Sequence, residues 1–525
     1  MIGDHLPWST LNIGHQIPKD PKLSIFRAAS WLQNCLQTHD RQFCKNGHTG
    51  LPDSAPTRLI FLGNGQNQLR LVEGHHVKAP YTALSYCWGR TQHISTLKSN
   101  YDHHLRNIPW SSLAVTYQDA MSFTRALGYK YIWIDSLCIV QDDREDWHHE
   151  AAGMADIYGQ AIVVISAANA NHAGFGCFHE RPGSRTFRNK LQKGPRDPSH
   201  ILVQEPNVHS NLMRTPRLDE QWPLFRRAWT LQERMLATRI VHFGPGELIW
   251  ECATTSDCEC GHLSLAQAVT SRTRYDLSRP DRMTDVQRAN LWDELALSYQ
   301  NRLLTAESDR LSALSGLAHR FQSPGLGKYV AGLWSAFALS MLLWEAKTET
   351  KTNRRRTTES PEFVAPSWSW ASYQGRLLRN DPVQPNDVFE ATLLEIDSTL
   401  KTPDIYGAID EGHILLSSPV TDGTIIRSER HGHPMIQLGA EMAAFLVSDM
   451  PIPESLIGGG VKCLFLRGLH PGPSGQYLEA LVLTLSKDMQ TYERLGIAHI
   501  RKHSLGQDGE QQKTLPLVVE TVKII

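Results

Sequence analysis

The feature that most constrains the fold is an alternation of short apolar runs with amphipathic segments between residues 81 and 251. The apolar runs have the length and composition of buried strands, whereas the segments between them repeat apolar residues at helical spacing. The predicted strands are residues 81–88, 131–135, 161–166, 239–243 and 248–251, and the predicted helices are residues 115–127, 142–158 and 227–236. This alternation indicates an α/β fold on a parallel sheet, interrupted by an irregular basic insertion at residues 181–222.

The sequence pattern changes on both sides of this region. A helix over residues 23–44 and a hairpin of residues 58–62 and 68–72 precede it. The apolar stretch at residues 329–344 is shorter than the roughly 20 residues that cross a bilayer, so we interpret it as a buried helix. The predicted domains are an N-terminal helix and hairpin (1–80), an α/β domain (81–255), a helical region (256–346), a polar linker (347–361) and a β-rich region (362–525).

Charge, cysteine content and glycine motifs narrow the function classes. The 53 Lys and Arg residues balance 54 Asp and Glu residues, so the net charge of -1 gives no general attraction to nucleic acid. The nine cysteines form no dense even framework, and the N-terminus lacks the pattern of a signal peptide. The run Gly63-Asn-Gly65 lacks the third glycine of a dinucleotide fingerprint. We therefore expect a cytoplasmic protein with no membrane span, no nucleic-acid partner and no bound cofactor.

Two groups of cysteine and histidine residues could hold zinc, but neither has the spacing of a standard zinc finger. The two groups are Cys35, His39, Cys44 and His48, and Cys252, Cys258, Cys260 and His262. Cys35 and His39 lie one helical turn apart and can face one metal ion, yet Cys35 also falls on the apolar stripe of its helix. We expect no metal centre from these spacings. A zinc ion bound by either group is the alternative that stays open.

Polar and aromatic residues follow the predicted parallel strands. Ligands of such sheets bind beyond the carboxyl ends of the strands, where the loops meet. The residues expected there are Ser85, Tyr86, Trp88, Asp135 and Ser166. Such a cluster suits a ribose, a phosphate or a planar base. The alternative is that Asp135 and Ser166 cap the following helices while the two aromatic rings fill the core.

A tryptophan and a glutamate share one face of the helix after the third strand. Trp229 and Glu233 lie four residues apart, so the indole can partly desolvate the carboxylate. In the cleavage of an N-glycosidic bond, a carboxylate of this kind stabilises oxocarbenium character or holds ribose hydroxyls. Two alternatives stay open: Glu233 is an exposed residue paired with a neighbouring arginine, or Trp147 and Glu150 form the functional pair instead.

Four sequence blocks in this region resemble the fungal heterokaryon-incompatibility (HET) domain. The blocks are Tyr81-Thr-Ala-Leu-Ser-Tyr-Cys-Trp-Gly89, Tyr131-Ile-Trp-Ile-Asp-Ser-Leu-Cys-Ile-Val-Gln141, Trp147-x-x-Glu150 with Ile157-Tyr158, and Arg227-Ala-Trp-Thr-Leu-Gln-Glu-Arg-Met-Leu236. Flanking motifs such as Ala365-Pro-Ser-Trp-Ser-Trp-Ala-Ser372 are similar to those of larger fungal proteins of the heterokaryon-incompatibility protein 6 type. The resemblance implies nonself recognition that triggers regulated cell death, with an incompatible allelic or non-allelic partner and a capacity to form homo-oligomers.

A more distant resemblance connects the same blocks to Toll/interleukin-receptor domains. It implies a flavodoxin-like parallel sheet and, in some members, cleavage of NAD at the nicotinamide–ribose bond. Trp229 and Glu233 match the family's order of tryptophan and catalytic glutamate, which makes Glu233 the candidate catalyst and NAD the candidate substrate. The candidate binding residues are Ser85, Tyr86, Trp88, Asp135 and Trp229. The alternatives are a non-catalytic recognition and assembly module, or an accessory protein of a secondary-metabolite pathway.

Overall fold

The computed structural model divides the chain into two compact units, Met1–Arg282 and Met283–Ile525. The residues that the structure describes are 17–18, 20–39, 43–44, 55–65, 68–90, 93–179, 186–192, 198–204, 221–261, 263, 274, 276–277, 279, 282–347, 363–378, 382–384, 387–428, 432–439, 442–472, 475–501 and 515–525.

The first unit contains an eight-stranded mixed sheet with helices between its strands. Its strands and a separate hairpin are β1 (Arg58–Phe61), β2 (Arg70–Glu73), β3 (Thr82–Ser85), β4 (Tyr131–Trp133), β5 (Val163–Ser166), β6 (Thr186–Gln192), β7 (Pro198–Gln204), β8 (Arg239–Phe243), β9 (Leu248–Cys252) and β10 (Ser256–Cys258). Its α-helices are α1 (Ile25–Thr38), α2 (Tyr101–Arg106), α3 (Val115–Ala126), α4 (Asp135–Cys138), α5 (Arg144–Gln160) and α6 (Trp229–Leu236).

Four parallel strands form the centre of this sheet. The strand order is β10-β9-β8-β5-β3-β4-β1-β2, and β3 pairs in parallel with both β4 and β5, while β5 pairs in parallel with β8. Taken in chain order, these four strands lie as second, first, third and fourth, which is the flavodoxin-like arrangement. Because every residue of β3, β5 and β8 is buried, helices must cover both faces. The predicted α/β fold is confirmed.

Local sequence signals explain where the helices begin and end. The Asp143 carboxylate accepts hydrogen bonds from the backbone N–H groups of Glu145 and Asp146, and so caps α5. The helix expected over residues 23–44 ends earlier, at Thr38, because His39 is extended and closes the last turn through its N–H to the Cys35 carbonyl. The insertion at residues 181–222 is also more regular than expected, since β6 and β7 form an antiparallel hairpin within it.

The second unit combines a few helices with an extensive antiparallel sheet. Its helices are α7 (Asp285–Gln300), α8 (Ser312–Phe321) and α9 (Ala338–Met341). Its strands are β11 (Tyr329–Val330), β12 (Leu333–Trp334), β13 (Glu345–Ala346), β14 (Leu377–Leu378), β15 (Thr392–Leu400), β16 (Ile409–Arg427), β17 (Pro434–Leu438), β18 (Met442–Ser448), β19 (Gly460–Gly472), β20 (Gly475–Leu485), β21 (Tyr492–Arg501) and β22 (Val518–Ile524). The β-rich character predicted for the C-terminal region is confirmed.

The long strand β16 makes the large sheet of this unit close on itself. One part of β16 pairs with β17 and another with β19, so the path β16-β17-β18-β21-β20-β19 returns to its first strand. Apolar side chains such as Ile425, Ile436 and Ile500 are fully buried in one cluster against the closed sheet. Closure pairs strand edges that would otherwise expose unpaired backbone groups.

The buried helix expected at residues 329–344 is wrong. These residues instead form the β11–β12 hairpin, a short 3-10 turn and α9. The hairpin turns at Ala331 and Gly332, whose φ angles are 49° and 94°. A Cβ atom at Gly332 would lie 2.8 Å from Trp370 Nε1, so this position also needs glycine for close packing. None of the helices in the described part of the chain has the length and hydropathy to cross a bilayer.

The second unit buries a charged pair whose removal we expect to be costly. Arg494, which is fully buried, donates from Nε to Asp449 Oδ2 at 3.0 Å and from Nη1 to the Leu342 carbonyl at 2.5 Å. Arg494→Met leaves the Asp449 carboxylate buried without its cation, so we expect the free energy of unfolding to fall by about 3–5 kcal/mol in urea titrations of the full chain.

Arg427→Met is the matched control for this prediction. Arg427 forms an exposed ion pair with Glu454, and we expect a change of at most about 1 kcal/mol. Equal losses of stability in the two variants would contradict the assigned role of the buried pair.

Candidate functional site

The carboxyl ends of β3 and β4 bring most of the predicted site residues to one edge of the sheet. Ser85 is the last residue of β3, and its carbonyl accepts from the Ala167 N–H at 2.9 Å. Tyr86 and Trp88 follow β3, and Asp135 follows β4 as the first residue of α4. These loops meet because parallel strands end at the same edge.

Asp135 is held by donors from both loops. Trp88 Nε1 donates to Asp135 Oδ2 at 2.7 Å, and the Ser136 N–H donates to Oδ1 at 2.6 Å. Burial raises the pKa of Asp135, whereas the bonds from Trp88 and Tyr86 and the charge of Arg227 act in the opposite direction. Trp88 keeps 37% of its surface exposed and so does not fill the core, contrary to the alternative stated for it.

Tyr86 is buried in the core near Asp135. Its hydroxyl is 2.8 Å from the hydroxyl of Tyr117, which also accepts from Ser136 Oγ at 3.0 Å. The two tyrosine rings meet edge to face at 5.1 Å between centroids. Burial and the charge of Asp135 raise the pKa of Tyr86 well above its ordinary value, so its hydroxyl stays neutral.

Arg227 supplies the positive charge at this edge. Its Nη1 donates to the Tyr86 carbonyl at 2.9 Å, and the guanidinium is half-buried. The Arg227 charge also favours the ionised forms of Asp135, Cys87 and Tyr117. Sequence reasoning treated Arg227 only as a neighbour of Glu233, although its position in the Arg227-Ala-Trp-Thr block was a usable signal.

Glu233 is buried on α6, with 7% of its surface exposed, so the alternative that it is an exposed residue is wrong. Its carboxylate lies near Cys87 and Tyr158, since its charge raises the pKa values of both groups in addition to the larger effect of burial. Tyr158 donates its hydroxyl proton to the carbonyl of Leu84, in β3, at 3.2 Å. Glu233 therefore lies near Tyr158 and Cys87, close to the end of β3.

The two predicted tryptophan–glutamate pairs meet through their indoles. The rings of Trp147 and Trp229 are perpendicular, with centroids 6.2 Å apart, and both are half-buried. Glu150 lies elsewhere: its Oε1 is 3.5 Å from Arg58 Nη2, and it lines a cleft of about 130 Å³ with Tyr81. Trp147 of the rival pair thus adjoins the Glu233 helix, whereas Glu150 pairs with Arg58.

A buried ionic network connects α6 to strands β8 and β9. Arg234 donates to both carboxylate oxygens of Glu251, at 2.9 and 2.7 Å, and Arg274 and His242 approach the same group at 3.3 and 3.0 Å. The other ring nitrogen of His242 is 2.9 Å from Ser166 Oγ. Ser166 therefore bonds a neighbouring strand rather than a helix terminus, contrary to the alternative stated for it.

This Ser–His–Glu arrangement has a structural role. Ser166, His242 and Glu251 are each at most 1% exposed, so substrate has no path to the hydroxyl. Burial acts to raise the pKa of Glu251, but Arg234 and His242 together hold it well below its ordinary value. Sequence reasoning missed this network, because Arg234 and Glu251 are 17 residues apart and no local pattern relates them.

The predicted cysteine and histidine groups are rearranged in the structure. Cys35, His39 and Cys44 lie together with Cys252 of the other group. Cys258 and Cys260 lie instead beside Glu247, with their sulfur atoms 3.2 Å apart. His48 and His262 lie outside the described residues.

The comparison with known families agrees with this geometry. Residues 81–233 match the family model described as Heterokaryon incompatibility protein (HET), a range that begins immediately before β3 and ends at Glu233 on α6. The chain therefore carries a heterokaryon-incompatibility domain, and this domain supports a role in heterokaryon incompatibility. A search of curated proteins found no match, and a search of solved structures found none either.

The buried network makes stability depend on pH. Burial lowers the pKa of His242 to about 4, against about 6.5 in an unfolded chain. Between these values the unfolded chain binds a proton that the folded chain excludes, so stability falls as the pH decreases from 6.5 to 4, by about 3 kcal/mol in total. We expect His242→Gln to show a flatter dependence than the parent chain when urea midpoints are compared at pH 7 and pH 5.

The exposed His103 of α2 offers a control, and His103→Gln should keep the dependence of the parent chain. A variant at position 242 that retained the full dependence would show that another group is responsible.

Proposed function

We propose that the HET domain hydrolyses NAD at the nicotinamide–ribose bond and that the resulting loss of NAD is the signal for cell death. The observation behind this proposal is the position of Glu233, a buried carboxylate close to the end of the central strand. Half-buried aromatic rings and one arginine lie at the same edge of the sheet. This combination of groups suits a dinucleotide that must be held while its glycosidic bond breaks.

Cleavage of the nicotinamide–ribose bond requires from the protein mainly a correctly placed negative charge. As the bond from the ribose C1′ to the nicotinamide nitrogen breaks, positive charge develops on the ribose and the bonding electrons leave with nicotinamide. A carboxylate near C1′ stabilises that charge or holds the ribose hydroxyls. Water then adds at C1′ and loses a proton, which gives ADP-ribose and nicotinamide. Glu233 is the residue that we assign to this role.

The other edge residues suit the remaining parts of NAD. Arg227 provides a charge for the diphosphate, and the indoles of Trp88, Trp147 and Trp229 provide faces for planar bases. Asp135 can accept from ribose hydroxyls. Because Glu233 is only 7% exposed, the proposal requires α6 and its neighbours to open before NAD reaches the carboxylate, and we expect slow turnover by the resting protein.

A second candidate function is non-catalytic assembly with further copies of the chain. Apolar side chains beside the same edge favour it: Trp88, Val115 and Phe175 are 37%, 45% and 41% exposed. Their loops are neighbours, since the Ala173 N–H donates to the Trp88 carbonyl at 3.4 Å and the Thr116 N–H donates to the Ala173 carbonyl at 2.9 Å. A patch of this kind is suited to burial against another protein.

The test is induction of the full chain in yeast, with total NAD and viability followed together. We expect the parent chain to deplete NAD slowly and to kill under sustained induction, and Glu233→Gln to lower the rate of NAD loss by about 100-fold at equal protein level. This substitution removes the charge and keeps the shape, so misfolding is a smaller concern than with alanine.

Two further glutamates of α5 complete the experiment. Glu145→Gln changes an exposed residue and should behave as the parent chain does, while Glu150→Gln tests the rival carboxylate. If Glu150→Gln alone abolishes NAD loss, Glu233 is not the catalyst. If every form kills with NAD unchanged, the domain acts by assembly, and catalysis is the wrong proposal.

A further inference from the structure

Four metal-binding side chains converge at the junction of α1 and β9, away from the edge described above. Cys35 lies on α1, His39 follows the end of α1, Cys44 lies five residues further on, and Cys252 ends β9. One ligand atom from each residue lies within 4.8 Å of all the others. The three cysteines are buried, and His39 is half-buried.

The distances fit a tetrahedral metal site. His39 Nδ1 is 3.4 Å from Cys252 Sγ and 3.7 Å from Cys44 Sγ. A tetrahedral zinc ion with Zn–S of about 2.3 Å and Zn–N of about 2.0 Å separates sulfur from nitrogen by about 3.5 Å. We propose that Cys35, His39, Cys44 and Cys252 bind one structural Zn²⁺ ion. The residues would form a closed Cys₃His site without a position for substrate.

The residues around the cluster supply the positive charge and the hydrogen bonds to sulfur that such a site needs. Three thiolates and Zn²⁺ together carry one negative charge, and the fully buried Arg239 lies beside them, with its Nε 3.2 Å from Cys35 Sγ. The Thr255 N–H donates to Cys252 Sγ at 3.3 Å, and Thr254 Oγ1 is 3.3 Å from Cys44 Sγ. Donors of this kind orient thiolate ligands and offset their charge.

Arg239 also holds the backbone of the site in place. Its Nη2 donates to the Cys44 carbonyl at 2.9 Å, and its Nη1 donates to the Ile162 carbonyl at 3.3 Å. Since Arg239 begins β8, its side chain connects Cys44 to β8 and to Ile162, the residue that precedes β5.

The site would fasten α1 to the outer part of the sheet. Trp31 on α1 already donates from Nε1 to Asp257 Oδ2 at 2.7 Å and packs against Trp250, with ring centroids 6.4 Å apart. Zinc would add a covalent-strength connection one turn further along the helix. Because Glu251 immediately precedes Cys252, the metal would also hold the strand that anchors α6.

Metal analysis of the purified full chain tests this inference, independently of any NAD hydrolysis. We expect one zinc ion per chain in the parent protein and loss of that ion in Cys252→Ala and His39→Ala. Cys463→Ala is the matched control, because Cys463 is a fully buried cysteine of β19 with no part in the cluster, and its zinc content should equal that of the parent. His39→Cys replaces nitrogen by sulfur and should retain the ion.

A second measurement covers variants that fail to fold. The parent chain, stripped of metal and refilled with Co²⁺, should show the absorption of tetrahedral cobalt with thiolate ligands. A parent chain that contains no zinc and gives no such spectrum overturns the proposal. So does a disulfide between two of the three cysteines, identified by mass spectrometry of the native protein.

Discussion

Parallel pairing of β3 with β4 on one side and with β5 on the other is the constraint on which the first unit depends. Parallel neighbours cannot be joined by a tight turn, so the chain crosses over through helices that bury both faces of the sheet. The same pairing makes the strands end at one edge. Trp88 and Asp135 can therefore hydrogen bond although they are 47 residues apart.

The buried network around Glu251 and the candidate site differ in how their buried charges are compensated. Glu251 is surrounded by two arginines and a histidine, because a carboxylate taken fully out of water is tolerated only with close partners. At the edge, the balance is different: burial raises the pKa of Asp135 despite its donors, and Glu233 raises the pKa values of its neighbours. Ionisable groups with shifted pKa values that lie together at one edge of a sheet are typical of functional sites.

The local sequence pattern predicted the main strands and helices of the α/β region. It did not predict features that depend on contacts between distant residues. The apolar stretch at residues 329–344 has helical composition, yet Gly332 packs against Trp370 in a turn that only glycine accommodates. Glu233 and Trp229 were found from their spacing, but spacing on one helix does not reveal that Glu233 is buried and lies near Tyr158 of α5. Cys35, His39 and Cys44 were grouped from sequence, whereas Cys252, more than 200 residues further on, was not.

The sequence by itself determined the alternation of strands and helices, the edge at which Ser85, Tyr86, Trp88 and Asp135 lie, and the resemblance that the family match confirms. The first two properties follow from short-range periodicity and from the rule that parallel strands end together, and the resemblance follows from the four sequence blocks. Only the tertiary structure decided which charges neutralise Glu251, which cysteines join His39, and that Glu233 is buried. Those outcomes depend on contacts between segments far apart in the chain, and side-chain periodicity carries no information about such contacts.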